Sequence, residues 1–266
     1  MSPDEVFVLI VCSAIGLVTM VMWFGPIVSV SHLAPGRRGR ILLAMTPVVC
    51  AALFLAVLHF WAAKDVRNDP VYLGFYVVVD VAWLGLSTRL VPLFGLSARD
   101  DVVERGNRAA TWAVTGALVG VTASIAGGNI GGGPDWWADV ISSFLATATL
   151  FALWFCLECL TSISENITVG RDDASGVRLA GFLSAAGLVL GRGVAGTWIS
   201  FGTTVTDFVR VGWPAIILLA VAVVVERLAR PTRDRPIVPV IRCGALPAMG
   251  YLIAASTYLV WLGWWK

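Results

Sequence analysis

A single carboxylate inside a long apolar run is the feature of this chain with the clearest chemical meaning. Asp80 interrupts the run Val-Val-Val-Asp-Val-Ala-Trp at residues 77–83. A charge at the centre of a bilayer costs about 2.5–3.5 kcal/mol on insertion scales, so this side chain should face protein or water and have a partner. Asp80 is predicted either to bind a cation or relay a proton, or to fix helix packing through a buried ion pair or hydrogen bond.

Two later apolar runs each have an acidic residue at both ends, and the spacing between the two acids is the same in each run. Asp139 is followed nineteen residues later by Glu158, and Asp207 is followed nineteen residues later by Glu226. Glu226 stands beside Arg227 at the predicted inner end of its helix, where its side chain is expected to snorkel to the interface. Arg192 and Arg210, with Asp139 and Asp207, are predicted near outer helix ends, as a salt-bridge network or vestibule or as a solvated rim.

No pattern of residues predicts an enzyme. The two histidines, His32 and His59, are expected on opposite faces of the membrane, so they cannot form one catalytic dyad. Cys156 and Cys159 flank Glu158 but lack the remaining ligands of a zinc site. The glycine-rich residues 127–133 are expected to reverse the chain rather than cradle a phosphate. We predict no catalytic residue, no metal and no other cofactor.

The composition is that of a membrane protein. Hydrophobic residues make up 58% of the 266 residues, charged residues make up 14%, and the mean hydropathy is +0.84. A helix needs about 20 apolar residues to cross a bilayer. Eight such stretches occur, approximately at 6–29, 41–63, 71–91, 109–126, 137–160, 177–194, 208–225 and 238–265. The connections between them are too short for a soluble domain.

Basic residues give this all-α protein an expected orientation. Fourteen of the 19 Lys and Arg residues follow odd-numbered helices: Arg37, Arg38, Arg40, Arg89, Arg99, Arg105, Arg108, Arg171, Arg178, Arg227, Arg230, Arg233, Arg235 and Arg242. About eight transmembrane helices put both termini on the same side of the membrane, and the positive-inside rule predicts that this side is outside. Because these arginines are divided among four short loops, no nucleic-acid surface is expected.

One segment of the chain occurs twice. Residues 105–110 read Arg-Gly-Asn-Arg-Ala-Ala, and residues 170–175 read Gly-Arg-Asp-Asp-Ala-Ser. Aligning Ala109 with Ala174 also pairs Gly116 with Gly181, Leu118 with Leu183, Gly128 with Gly193 and Gly131 with Gly196. We interpret this as a parallel duplication. It divides the chain into an N-terminal helix pair (1–70), a duplicated region (71–230, with copies about 99–161 and 164–229) and a C-terminal helix (231–266). Applied twice, the same offset relates Asp80 to Arg210 and predicts an ion pair between them.

Small residues recur every four positions in the fourth and sixth predicted helices. Such stripes let helix backbones approach closely in lipid, so these two helices are expected at the centre of the bundle. The residues expected at these contacts are Gly116, Gly120, Gly181, Gly187 and Gly191. The alternative is a glycine-lined pathway. A homodimer is also expected, although one monomer could use all of these stripes internally.

Asn107 and Asp172 occupy the same place in the two copies, directly before an apolar helix. An N-cap accounts for both, because their side-chain oxygens can accept from free backbone N–H groups. The alternative is a cytoplasmic vestibule in which the two helix N-termini bind one anionic ligand.

The run at 165–183, together with 105–110 and Gly116, resembles the YjfL-like bacterial membrane proteins, domain of unknown function 350. The resemblance covers about residues 71–230. Gly106 and Asn107 keep the family's Gly-Asn pair, whereas the second copy has Arg171 and Asp172. The resemblance implies a multi-pass protein of the bacterial inner membrane with tandem two-helix units, often encoded near stress-response genes and ATP-grasp ligases. It implies no accepted activity.

Two functions are compatible with these patterns. The first is a channel or transporter for a small ion or polar solute, with Asp80, Glu158, Arg192, Asp207 and Arg210 along its pathway. The second is a non-conducting scaffold or stress-response component in the lipid bilayer. Its Arg-rich cytoplasmic loops, especially residues 228–239, would recruit a cytoplasmic protein or anionic lipid.

Overall fold

The structure is a computed structural model that describes residues 1–29, 37–232 and 238–263, and these residues contain helices but no strand. Short helical turns precede some of the long helices: a 3₁₀ turn at Val91–Phe94 and π-helical turns at Ala98–Glu104 and Ile241–Ala245. The α-helices are α1 (Pro3–Ser29), α2 (Arg37–Trp61), α3 (Lys64–Arg67), α4 (Pro70–Thr88), α5 (Arg108–Gly128), α6 (Trp136–Thr161), α7 (Ile163–Thr168), α8 (Asp173–Val194), α9 (Phe201–Gly212), α10 (Pro214–Ala229) and α11 (Leu246–Leu262).

The long helices have the length and composition of membrane spans. Seven helical segments of the described chain are long and apolar enough to cross a bilayer, and the bent pair α9–α10 makes an eighth if it counts as one span. This agrees with the predicted class of all-helical, multi-pass membrane protein. The last predicted span, 238–265, extends beyond the described residues.

The span predicted at 208–225 is not one continuous helix. The structure has two helices there, α9 and α10, which meet at an angle of 41°. Pro214 opens α10, and proline has no backbone N–H to donate while its ring clashes with the carbonyl four residues earlier. Proline at this position therefore favours a kink or break between α9 and α10.

Helices α5 and α8 form the centre of the bundle. In each, 78% of the most apolar 18-residue window is buried, compared with 17% in α1. The two helices run parallel, because Gly176 packs against Ala109 near their starts and Gly127 packs against Gly191 near their ends. Helices α2, α5, α8 and α11 form a row in this order, each in contact with the next.

Backbone meets backbone along the α5–α8 contact. A side chain added at Gly116 would collide with Ala180, one at Gly120 with Leu183, and one at Gly187 with the backbone of Gly120. Gly191 packs in the same way against Ala123, whereas Gly181 faces Ala248 of α11. The small residues thus lie in helix contacts, where dispersion forces between closely approaching backbones hold membrane helices together.

Candidate functional sites

Asp80 lies in the interior of the bundle and has one amide partner. Its side chain is only 3% exposed, and its Oδ2 accepts a hydrogen bond from Nδ2 of Asn129 at 2.6 Å. Asn129 is the C-terminal cap of α5, and 5% of it is exposed. Sequence reasoning assigned this asparagine to a glycine-rich outer turn and missed it as a partner. The structure continues α5 through Gly128, which carries Asn129 to the level of Asp80.

Above Asp80 the bundle contains a cavity with acidic walls. We call the end of the bundle where α1 begins the outer end, after the predicted orientation, and the opposite end the inner end. The outer cavity has a volume of about 180 Å³, and none of its described lining residues is basic. Its ionisable lining residues are Glu5, Asp65, Asp135, Asp139, Tyr72 and Tyr76.

A separate small space of about 10 Å³ lies beside Asp80. Tyr76, Asn129 and Asp139 line both spaces, and the Tyr76 hydroxyl lies beside the Asp139 carboxylate. Within the described ranges, no three His, Cys, Asp or Glu side chains converge closely enough to hold a metal ion. The carboxylates of Glu5, Asp65, Asp135 and Asp139 therefore line an open space and do not converge on one point. This arrangement raises the local concentration of cations.

A second cavity, of about 280 Å³, lies at the inner end between α1, α2 and α4. Thr88 and Arg89 line it, and Thr88 follows Asp80 by eight residues, or about 12 Å along a helix. Leu84 is 1% exposed in this interval, and Gly85 packs directly against Thr19 of α1. Packed side chains thus separate the outer cavity from the inner one.

The predicted ion pair between Asp80 and Arg210 is wrong. Asp80 is bonded to Asn129 in the interior, whereas Arg210 is exposed on α9. The prediction applied the repeat offset twice, over three intervening helices. The bend between α9 and α10 gives Arg210 a different position from the one that a straight span would give it.

The inner half of the bundle holds a buried ionic network, centred on Arg178 and Glu226. Their side chains are 2% and 1% exposed, and Arg178 Nε donates to Glu226 Oε2 at 2.7 Å. The assignment of Arg178 to an inner loop and the snorkelling expected of Glu226 are therefore wrong. Helix α8 begins at Asp173, four residues earlier than predicted, so Arg178 falls in its second turn and points to α10.

Neighbouring groups satisfy both ions of this network. Ser175 Oγ lies 2.8 Å from Arg178 Nη2 and 3.0 Å from Glu226 Oε1. The backbone carbonyl of Cys243 accepts from Arg178 Nη1, and Asn166 Nδ2 donates to Glu226 at 3.2 Å. The network thus joins α7, α8 and α10 to the turn that leads into α11, and no cavity described above reaches it.

Asn107 and Asp172 are both N-caps. Asn107 Oδ1 accepts from the backbone N–H of Ala110, and Asp172 accepts from the backbone N–H groups of Ala174 and Ser175. The residues before them share a left-handed conformation, with φ of 62° at Gly106 and 51° at Arg171.

The backbone N–H of each cap donates to the carbonyl six residues earlier, Asp101 at 2.9 Å in the first copy and Asn166 at 3.0 Å in the second. The two helix starts also touch, because Asn107 Nδ2 donates to the carbonyl of Ile167 at 2.8 Å. Asn107 is 2% exposed, so its polar atoms are used within the protein rather than presented to an anion.

The other predicted pathway residues do not gather at one site. Glu158, at the inner end of α6, accepts from the hydroxyl of Ser164 at 2.6 Å. Arg192 lies beside Tyr258 of α11, and Asp207 is exposed on α9 with Arg210. Asp139 alone of the predicted outer cluster lies in the cavity above Asp80. His32, Arg233 and Arg235 lie outside the described residues.

Neither a protein-family model, nor a curated protein, nor a solved structure matches this chain. Function is therefore inferred from the buried Asp80 and the acidic outer cavity.

Proposed function

We propose that this protein binds a small cation from the outer side and conducts it along α4 past Asp80. The observation that carries the proposal is the acidic outer cavity, because its lining residues Asn129 and Asp139 also line the small space beside the buried Asp80. An ionisable residue inside a membrane bundle is costly to retain, and such residues commonly mark ion or proton paths.

The charges around the path favour a positive ion. Glu5, Asp65, Asp135 and Asp139 bring up to four negative charges to the cavity walls, and no described lining residue is basic, although the Met1 ammonium lies 4.0 Å from Glu5. Low-dielectric walls focus such a field and raise the local concentration of the attracted ion. At the floor, Asn129 donates to one oxygen of Asp80. The second oxygen of that carboxylate can then accept a proton or contact a cation.

The orientation, the duplication and the family are part of this proposal. We infer that both termini lie outside and that residues 99–161 and 164–229 are parallel copies. The two left-handed residues Gly106 and Arg171, each followed by an N-cap and separated by the repeat offset, support the duplication. Membership of the YjfL-like family and a bacterial inner-membrane location rest on the sequence resemblance alone.

The alternative function is a non-conducting scaffold that recruits a cytoplasmic protein or anionic lipid through its inner loops. Several inner arginines are exposed, including Arg99 and Arg105 at 68% and 61% of their side chains. Each of these two, however, already pairs with an acid, Glu104 or Asp101. Local neutralisation weakens an attraction to anionic lipid, so we place conduction first.

Flux through liposomes that contain the purified full-length protein tests the proposal. Proton flux and monovalent-cation flux are measured for the wild type and for Asp80→Asn, which removes the charge and keeps the shape. We expect flux in the wild type and its loss in the variant, because the permeating ion no longer meets a buried carboxylate along α4.

Asp4→Asn is the matched control. Asp4 is an exposed acid at the outer end that does not line the cavity, so its neutralisation should leave the flux unchanged. Folded wild-type protein that carries no ion would contradict conduction. A specific bound partner or anionic lipid would then favour the scaffold. Equal flux through the wild type and Asp80→Asn would remove Asp80 from the path.

A further inference from the structure

Helix α9 exposes a polar face in a protein whose other long helices expose apolar ones. Its buried residues, Phe208 and Gly212, pack against Gly193 of α8. The opposite face consists of residues three or four positions apart, all of them exposed: Thr203, Thr206, Asp207 and Arg210. An outward polar face is ordinary for a helix in water, and it is costly for a helix in lipid.

The contrast with α10 shows that the polar face is local. Helix α10 continues the same predicted span, and its exposed side chains are apolar: Ile216, Ile217, Val221, Val224 and Leu228. These residues suit contact with acyl chains, and the exposed Arg227 is confined to the last turn of the helix. The change from lipid-compatible to polar surface coincides with the bend at Pro214.

The length of α10 brings part of the polar face into the hydrocarbon layer. Its 16 residues extend about 24 Å, less than the roughly 30 Å of a bilayer core. The difference of about 6 Å corresponds to about four residues, so the core reaches Arg210. The charged Arg227 in the last turn of α10 shortens the apolar part of that helix further. The bilayer core therefore extends along α9 as far as Asp207.

These two charges lack partners within the described part of the protein. Neither Asp207 nor Arg210 takes part in any of its ion pairs. They stand three positions apart, on the same face of the helix. Around a twofold axis, Asp207 of one copy can meet Arg210 of the other, and the reciprocal pair forms at the same time. The face has equal numbers of acids and bases and is therefore complementary to itself.

We propose that the polar face of α9, formed by Thr203, Thr206, Asp207 and Arg210, is the interface through which two copies of this chain associate in the membrane. The partner copy removes both charges from lipid and gives each an opposite charge. The threonine hydroxyls supply further hydrogen bonds between the helices.

Charge reversal tests this interface in the full-length protein purified in detergent or nanodiscs. Asp207→Arg places two bases on each face, and Arg210→Asp places two acids there. Like charges brought together oppose association, so each variant alone should lose about tenfold or more of its dimer fraction by light scattering or native mass spectrometry. Lys64→Asp, a reversal on the exposed α3, is the matched control and should leave the dimer intact.

Co-expression of the two single variants under different affinity tags supplies the decisive result. In a mixed pair, a face with two bases meets a face with two acids, so both contacts again join opposite charges. The mixed pair should therefore be recovered at the wild-type level although neither variant pairs with itself. A monomeric wild type, or single variants that dimerise normally, would overturn the proposal and place the face against headgroups or water. Failure of the mixed pair would also overturn it, because the single losses would then reflect altered folding.

Discussion

Two of the buried charged sites in the described residues, at Glu226 and at Asp80, have different surroundings. The inner network surrounds Glu226 with Arg178, Ser175 and Asn166. The outer site leaves Asp80 with Asn129 as its hydrogen-bond donor, below a cavity with acidic walls. A charge that is fully paired and closed off contributes to the arrangement of helices, whereas a charge with a neutral partner and an open approach can exchange its ion. The number and sign of the neighbours therefore distinguish the inner network from the site at which we propose ion binding.

The largest effect is expected in the inner network. Glu226→Gln leaves the Arg178 guanidinium buried without its closest anion, and breaking a buried pair in this way costs about 3–5 kcal/mol. Denaturant unfolding in detergent should show this loss, while Arg227→Gln, an exposed neighbour, should change stability by about 0.5 kcal/mol or less. Unchanged stability in Glu226→Gln would mean that the network does not hold α8 and α10 together.

A smaller loss is expected at the serine that bridges this network. Ser175→Ala removes a hydroxyl that contacts Arg178, Glu226 and Asp172, and leaves buried polar atoms unsatisfied. The expected cost is about 1–3 kcal/mol, again measured by denaturant unfolding. Ser200→Ala, at an exposed helix start, is a comparison in which only an N-cap of about 1 kcal/mol is lost. A larger loss at Ser200 than at Ser175 would contradict the importance of the bridge.

Asp80→Asn should hardly change stability. The new amide can still bond to Asn129, and the variant no longer buries a carboxylate without a cationic partner. We expect a change within about 1 kcal/mol in either direction together with the loss of flux. A loss as large as that of Glu226→Gln would show that the outer site is a packing centre like the inner one, which would remove the distinction between them.

The smallest structural effect is expected at the rim of the outer cavity. Asp135→Asn alters an exposed N-cap that lines the cavity, so its effect on stability should stay within about 1 kcal/mol. Cation flux at low salt should fall several-fold, because the wall loses one attracting charge. That difference should shrink at about 0.15 M salt, where the screening length is near 8 Å. A flux difference that is independent of salt would contradict an electrostatic role.

The sequence predicts the membrane class and the depth of Asp80, because both depend on long apolar runs. It also predicts the central position of α5 and α8 from their small residues, since only small residues let backbones touch. Asn129 could not be found in this way, because its partnership with Asp80 depends on how far α5 extends. An asparagine after two glycines is equally typical of a turn.

Arg178 and Glu226 were missed for a different reason. Counting arginines by loop assumes that a base near a helix start faces water, but Asp172, Ser175 and Arg178 recur every three residues and so lie along one side of α8. That spacing was a usable signal of a buried polar stripe. Its partner Glu226 lies 48 residues later, and only the tertiary structure brings the two together.

The glycine contact between α5 and α8 restricts how the two cavities could ever be joined. Where backbone touches backbone, no rotamer change can absorb a displacement, so these helices must move as one rigid body. Helix α1 has far less of its surface inside the protein than either of them. Opening the 12 Å or so of packed protein between the cavities would therefore fall to α1 moving against α4, with Thr19 sliding off Gly85. Spin-label distances should then stay fixed across α5–α8 and vary across α1–α4.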